Sequence, residues 1–205
     1  EVIEAYNSVG MMRKAQEIGA VDFIYLNLRD FGLGPRKQVD DNPYGGGDGM
    51  VLKPEPIAAA ISKAKEIVGD NSLVILPTPR GEEFTQKESN DLAKLNKNLI
   101  IFCPRYEGYD ERITKFVDKQ FFIGRYVLTG GEIPAMLIAD SVVRLLPDVL
   151  GGETSVEIES FQNDDQSIEF PQYTRPEEYM GSKVPEVLLS GHHAEIAKWR
   201  KENSK

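Results

Sequence analysis

Three short segments rich in glycine and proline each follow an apolar run: LPTPRG (residues 76–81), CPRYEGYDER (103–112) and IGRYVLTGGEIP (123–134). In an open α/β sheet, ligands gather at the carboxyl ends of strands. Glycine at such a place lets a ligand approach the backbone closely. Leu128, Ile133 and Pro134 add an apolar wall suited to a flat ring such as adenine. The alternative is three tight turns that need a positive φ. A second group is acidic: Glu157, Glu159, Asp164, Asp165 and Glu169 crowd one segment with Ser160 and Phe161. One of these carboxylates could act as a general base, or the segment could be a solvated linker. Arg144, near the end of an apolar run, could steady negative charge developing on a substrate or complement a helix dipole.

Other chemistries find no support. YGGGDG (44–49) is glycine-rich but lacks the Lys-Ser/Thr of a phosphate loop, and no G-x-G-x-x-G stands between a strand and a helix. That loop reads as flexible or ligand-closing. His192 and His193 are neighbours at a helix start and suggest capping or surface roles, so no metal site is expected. Cys103 has no histidine close by and reads as a small buried hydrophobe. Ser190-Gly191 is no nucleophile elbow.

The elements that must hold these segments alternate. Helices are expected over residues 1–19, 54–68, 85–96, 109–117 and 133–146, the last buried on most faces. Residues 54–68 open with prolines and close on Gly69. Thr85 and Glu88 have the spacing of a capping box. Strands are expected at 21–28, 73–76, 99–103, 121–123 and 126–128, with Pro77 and Pro79 stopping the second and the third buried. Residues 29–49 read as loop. The fold class is therefore α/β, a mostly parallel sheet with helices on both faces. Residues 1–152 form its main domain, 153–171 a polar and acidic linker, and 172–205 a small helical region containing a helix from His192 to about residue 201.

The bulk numbers fit an ordinary globular protein: 205 residues, 40 % hydrophobic and 28 % charged. No apolar run is long enough to span a bilayer and no leader is visible, so a cytoplasmic, membrane-free protein is expected. A single cysteine fits a reducing compartment. The net charge of −9 opposes non-specific nucleic-acid binding, which depends on neutralising phosphates. An RNA ligand would need a local basic patch.

Read together, PYGGGDGM, LPTPRGEEF, PRYEGYDERI, IGRYVLTGGEIPAMLIADSVVRLLPDVLGG, QYTRPEEY and VPEVLLSGHHAEIAKWR resemble the bacterial tRNA (guanine-N1)-methyltransferases of the SPOUT superfamily. The resemblance covers nearly the whole chain. It implies a C-terminal trefoil knot in the α/β domain that binds S-adenosylmethionine, and a homodimer whose active sites draw on both chains. It implies methyl transfer to N1 of the guanosine immediately 3′ of the anticodon. Carried over by position, the cofactor residues are Leu76, Pro77 and Thr78; Pro104, Tyr106, Glu107 and Gly108; and Ile123, Gly124, Arg125, Tyr126, Val127 and Leu128, with Gly130, Gly131 and Pro134. Arg144 matches an active-site arginine. Glu159 stands where the family usually has an aspartate as base. Arg144, Ser160 and Arg175 are the residues expected on RNA, and residues 172–205 would begin a truncated tRNA-binding domain.

The implied chemistry is coherent. Guanine N1 keeps a proton near neutral pH, and a carboxylate that accepts it contributes roughly 10²–10⁴ in rate. Arg144 could hold O6 as charge moves there. The sulfonium already activates the methyl, so methyl activation needs no metal. Glu159 is one methylene longer than aspartate, which leaves Glu157 or Glu169 as alternative bases. Pro104 and Arg125 replace residues that are more often Gly and Asp, and Pro104 removes an N–H. The chain starts within a predicted helix, where the family has a strand first, and stops where the family continues into a basic tail; weaker tRNA affinity is the expectation. A non-catalytic RNA- or nucleotide-binding module on the same fold is the alternative reading.

Overall fold

The computed structural model describes residues 1–151, 159–161 and 167–204. Two compact units are present, Glu1–Leu150 and Gly151–Lys205. The first contains a short antiparallel pair, β1 (Asp40–Asp41) and β2 (Val51–Leu52), and is built on a parallel sheet of β3 (Ser72–Glu83), β4 (Asn98–Ile101) and β5 (Lys119–Phe122) in the order β4-β3-β5. Successive side chains of a strand point to opposite faces, and the central strand uses both. Val74 and Leu76 pack with Ile57 and Ile61 of helix α3 (Pro54–Val68) and with Ile113. Ile75, together with Phe121 of β5, packs the other way, onto Leu92 of α4 (Gln86–Lys94) and Ile138 and Val142 of α5 (Glu132–Val143). Helices on both faces of a parallel sheet therefore match the expected class.

Local signals set several boundaries. α3 has proline in its first turn and ends on Gly69 at φ +85°, as its sequence indicated. α4 is opened by the capping box: Thr85 N–H donates to Glu88 Oε2 at 3.2 Å. Two N-terminal helices replace the single one expected, α1 (Val2–Asn7) and α2 (Gly10–Glu17), because the chain extends at Val9 and turns at Gly10, φ +57°. Met12 and Ala15 of α2 pack against Val143 and Val149. Residues 109–117 contain a 3-10 turn, Glu111–Phe116, rather than an α-helix, and the Asp110 carboxylate caps it by accepting from Arg112 N–H at 2.9 Å.

Five further expectations need correction. Residues 21–28 form no strand: Ile24, Tyr25 and Leu26 are exposed and no ladder holds them among the described residues. β4 is half-buried because it lies at the edge of its sheet. Pro77 and Pro79 do not end β3. They only interrupt its ladder with β5, which stops at Pro77↔Phe121 and resumes at Glu82↔Phe121. Residues 126–128 form no strand, as the site below explains. α5 is also less buried than its composition suggested, since Ile133 and Leu137 are 54 % and 42 % exposed.

In the second unit, the described residues centre on α7 (His193–Asn203), preceded by α6 (Glu186–Leu189) and the hairpin pair β6 (Glu178–Tyr179) and β7 (Ser182–Lys183). Trp199 makes edge-on contacts with Phe170 and Tyr173, and the Arg200 guanidinium lies 4.8 Å from the Phe170 ring. His192 holds the N-cap position of α7 without a side-chain cap bond. Ile75 is the residue whose loss both sheet neighbours would feel. Ile75→Ala is expected to lower the stability of the first unit by roughly 2–5 kcal/mol, the range for buried isoleucine truncation, read as a reduced urea midpoint.

Candidate methyl-donor site

β3, β4 and β5 run parallel, so the segments that follow their ladders emerge at the same edge of the sheet. The first is a break inside β3. Residues 78–81 bulge out where the prolines cannot donate to the ladder. Gly81 brings the chain back so close to β5 that a Cβ there would lie 2.5 Å from Phe121 N. Leu76, Pro77 and Thr78 are buried at the base of this bulge. Tyr109 Oη donates to Thr78 Oγ1 at 3.0 Å, and Arg80 N–H donates to the same oxygen at 3.4 Å. A hydroxyl has two acceptor positions and one proton. With both acceptor positions used, Thr78 has its O–H left to give.

The second segment, 103–108, is held on two sides. Glu107 N–H donates to Met50 O at 3.0 Å, and Leu52 N–H to Gly108 O at 2.9 Å, which fastens it to the chain leaving the triple-glycine loop. On its other side Gly131 N–H donates to Pro104 O at 2.7 Å, and Arg105 forms an antiparallel bridge with Gly130. Gly131 must be glycine here, because a Cβ would lie 2.5 Å from Pro104 Cδ and 2.9 Å from Cys103 Cα. At Gly108, φ +114°, a Cβ would meet nothing within 4 Å, so this stretch of backbone is bare. Burial, with a smaller contribution from Glu132, pushes the Cys103 thiol up to about 12. It stays protonated at neutral pH and is no nucleophile.

The third segment, 123–128, doubles back on Gly124: Tyr126 N–H donates to Gly124 O at 3.0 Å and Tyr126 Oη to Ile123 O at 3.2 Å. This turn replaces the expected strand and leaves Val127 98 % exposed. The result is one cradle with a buried apolar base, a free hydroxyl proton, bare backbone and an apolar wall. It suits a small ligand with a flat heterocycle and several polar atoms. Among the described residues, no cluster of three or more His, Cys, Asp or Glu side chains could hold a metal ion.

Comparison with known proteins decides between ligands. The family model described as tRNA (Guanine-1)-methyltransferase TrmD matches residues 1–205. The chain belongs to the tRNA (guanine-1)-methyltransferase family. It is 49 % identical to the tRNA (guanine-N(1)-)-methyltransferase of Halalkalibacterium halodurans over 205 residues, covering all of this chain and 82 % of that one. It is likewise 49 % identical to the Bacillus subtilis enzyme of the same name, covering 83 % of it. A solved structure, the tRNA (m1G37) methyltransferase of Aquifex aeolicus, superposes with a TM-score of 0.79 at 43 % identity, over 97 % of this chain and 82 % of that one. Membership makes the chain a methyltransferase of the SPOUT fold, so the cradle is where a methyl donor is expected.

The remaining residues expected at the family site stand on other elements. Arg144 is the half-buried C-cap of α5. Glu159 and Ser160 lie in the second unit, half-buried, and Ser160 Oγ accepts Glu169 N–H at 2.9 Å. Arg175 is exposed there. Glu157, Asp164 and Asp165 fall outside the described residues. Sequence reasoning missed Arg105, Tyr109 and Glu132, which tie the loops together. The PRYEGYDERI and GGE strings contain all three, but their partners are distant in sequence. Gly131→Ala should force the second and third segments apart while leaving the helices intact. A displacement of about 1 Å costs on the order of 10²-fold, measurable as a lower kcat/KM for the methyl donor beside an unchanged circular dichroism spectrum.

Proposed function

We propose that this chain transfers the methyl group of S-adenosylmethionine to N1 of the guanosine immediately 3′ of the anticodon in tRNA. The observation that carries the reading is the cradle itself: three segments at the carboxyl edge of one parallel sheet, tied by Thr78–Tyr109, Pro104–Gly131 and Arg105–Gly130. The names of its relatives supply the substrate. The residues fit the donor by chemistry: Leu76 and Pro77 offer an apolar base for adenine, the Thr78 hydroxyl a donor, and Gly108 bare backbone. Ile123 to Leu128, Gly130, Gly131 and Pro134 complete the cofactor set. Bound there, S-adenosylmethionine would supply an electrophilic methyl on a sulfonium. The trefoil knot belongs to what family membership implies.

The chain's own residues then have a proton and a charge to manage. Glu159 accepts the N1 proton, which turns guanine into a competent nucleophile. Arg144 holds O6 as negative charge shifts there. Ser160 and Arg175 are assigned to the RNA, and residues 172–205 to its binding domain. A homodimer with active sites shared between chains is part of this reading. The apolar stripe of Ile133 and Leu137, exposed in one chain, supports it as a surface for a second copy. No helix of the described residues is long and apolar enough to cross a membrane. The proposed compartment, where tRNA is found, is the cytoplasm.

Three experiments test this. Purified protein should methylate a tRNA carrying guanosine 3′ to the anticodon and leave its adenosine counterpart unmodified. Cofactor binding with neither transfer would favour a non-catalytic binding module. Glu159→Gln should reduce turnover by about 10²-fold or more if it is the base, and near-normal turnover would remove it from that role. Arg144→Ala should lower turnover with cofactor affinity retained.

A further inference from the structure

The segment 103–108 carries a conformation that needs holding. Tyr106 sits at φ +61°, the left-handed region, which is strained for a residue other than glycine. Met50 and Leu52 secure the Glu107–Gly108 end through backbone hydrogen bonds. The Pro104–Arg105 end is secured by Gly130 and Gly131, and by a side-chain pair. Arg105 Nε donates to Glu132 Oε1 at 2.5 Å, and this bond raises the arginine's pKa above its ordinary value. Glu132 is the first residue of α5, where a carboxylate is favoured by the helix dipole. Its side chain lies back across Gly130, whose missing Cβ makes room for it. The arginine is 64 % exposed but the carboxylate only 20 %, so the pair straddles the surface rather than floating on it.

We infer that Arg105 and Glu132 are a positioning pair that locks the Arg105–Gly108 turn onto the Gly130–Gly131 turn and so shapes the methyl-donor cradle. The inference rests on the proposed function. Neither side chain is assigned to the donor itself. They act through the backbone of residues 104–108, which is aligned for the ligand only while both turns are joined. A plain surface ion pair would be worth little. This one differs because it sits beside two backbone links and a strained residue that relaxes if the turn opens.

A double-mutant cycle with Arg105→Ala, Glu132→Gln and the combination tests it, with Arg105→Lys as the conservative variant. Glutamine is chosen so that no cation is placed at the start of α5. Each single change is expected to raise KM for S-adenosylmethionine on the order of tenfold, the scale of one charge-assisted hydrogen bond. Turnover at saturation and KM for tRNA should stay within about twofold, since the pair positions only the donor loop. The combined variant should be no worse than either single one, because the two share one interaction. Arg105→Lys should recover part of the loss. Unchanged donor KM, additive losses, or a parallel rise in both KM values with a lower melting temperature would overturn it. Calorimetry with S-adenosylhomocysteine separates the readings. The same pattern of lost affinity without any tRNA methylation by the unmodified protein would keep the positioning pair and sink the proposed function. No binding by the unmodified protein would sink both.

Discussion

The structure depends on β3 being buried on both faces and paired on both edges. Val74, Ile75 and Leu76 are fully buried, and the strand has a parallel neighbour on either side. No water reaches this backbone, so its N–H and C=O groups must find protein partners. At Val74 this is met by Asp118, whose carboxylate accepts the N–H at 2.8 Å while its own N–H donates to the carbonyl at 2.9 Å. At Pro77 and Pro79 there is no N–H to offer, so the ladder must open. It opens where the chain can leave the sheet and return, and Gly81 makes the return possible. The first wall of the site is thus a defect in the central strand, not a loop added at its end. Thr78 is buried inside that defect and accepts from Tyr109 and Arg80.

The charges around the cradle are mostly spoken for. Arg80 pairs with Glu111, Arg112 with Asp110, and Arg105 with Glu132. Hydrogen bonding to Arg112 holds the Asp110 carboxyl below its usual range. Apart from exposed Arg125 on the third segment, the cradle offers a ligand mainly backbone groups, one hydroxyl and apolar surface. That suits a positively charged sulfonium better than a phosphate, and it agrees with the failed phosphate-loop motif. It leaves the RNA's phosphates to be met elsewhere. In the second unit Arg175 is exposed, and Arg200 and Lys201 lie in the last turn of α7. An acidic protein binds RNA through local basic groups rather than through its net charge.

Short-range features were legible in the sequence and long-range ones were not. The bounds of α3, its closing glycine and the Thr85–Glu88 box are encoded within a few residues, and the structure keeps all of them. The proline break in β3 misled because proline's local effect, a missing donor, is real, while the strand's continuation is decided by β5 lying alongside. Residues 126–128 look like a strand by composition, yet Gly124 allows a reversal that composition does not reveal. Residues 21–28 have the apolar content of a strand but no neighbour to pair with among the described residues. The bonds that assemble the site join residues 31 and 27 positions apart, Tyr109 to Thr78 and Arg105 to Glu132. No periodicity spans such gaps. The family resemblance singles out these strings together because it compares whole strings rather than periods.

α5 shows how the two kinds of information meet. Its sequence is apolar around nearly the whole circumference, which is the signature of a helix covered on all sides. In one chain the covering is partial: Pro134, Ala135, Ile138, Val142 and Val143 are buried, while Ile133 and Leu137 face outward. Val127, on the neighbouring turn, is nearly bare as well. Scattered exposed leucines need no explanation, but these residues lie on the elements that build the cradle. The proposed homodimer accounts for the mismatch, because a second copy would supply the surface that the sequence of α5 already anticipates. Covering α5 would also shield its first turn, where Glu132 meets Arg105, from water and strengthen that pair. On this reading dimerisation and donor binding are coupled through one helix, and the apolar excess of α5 is a requirement of the site rather than of the single chain's core.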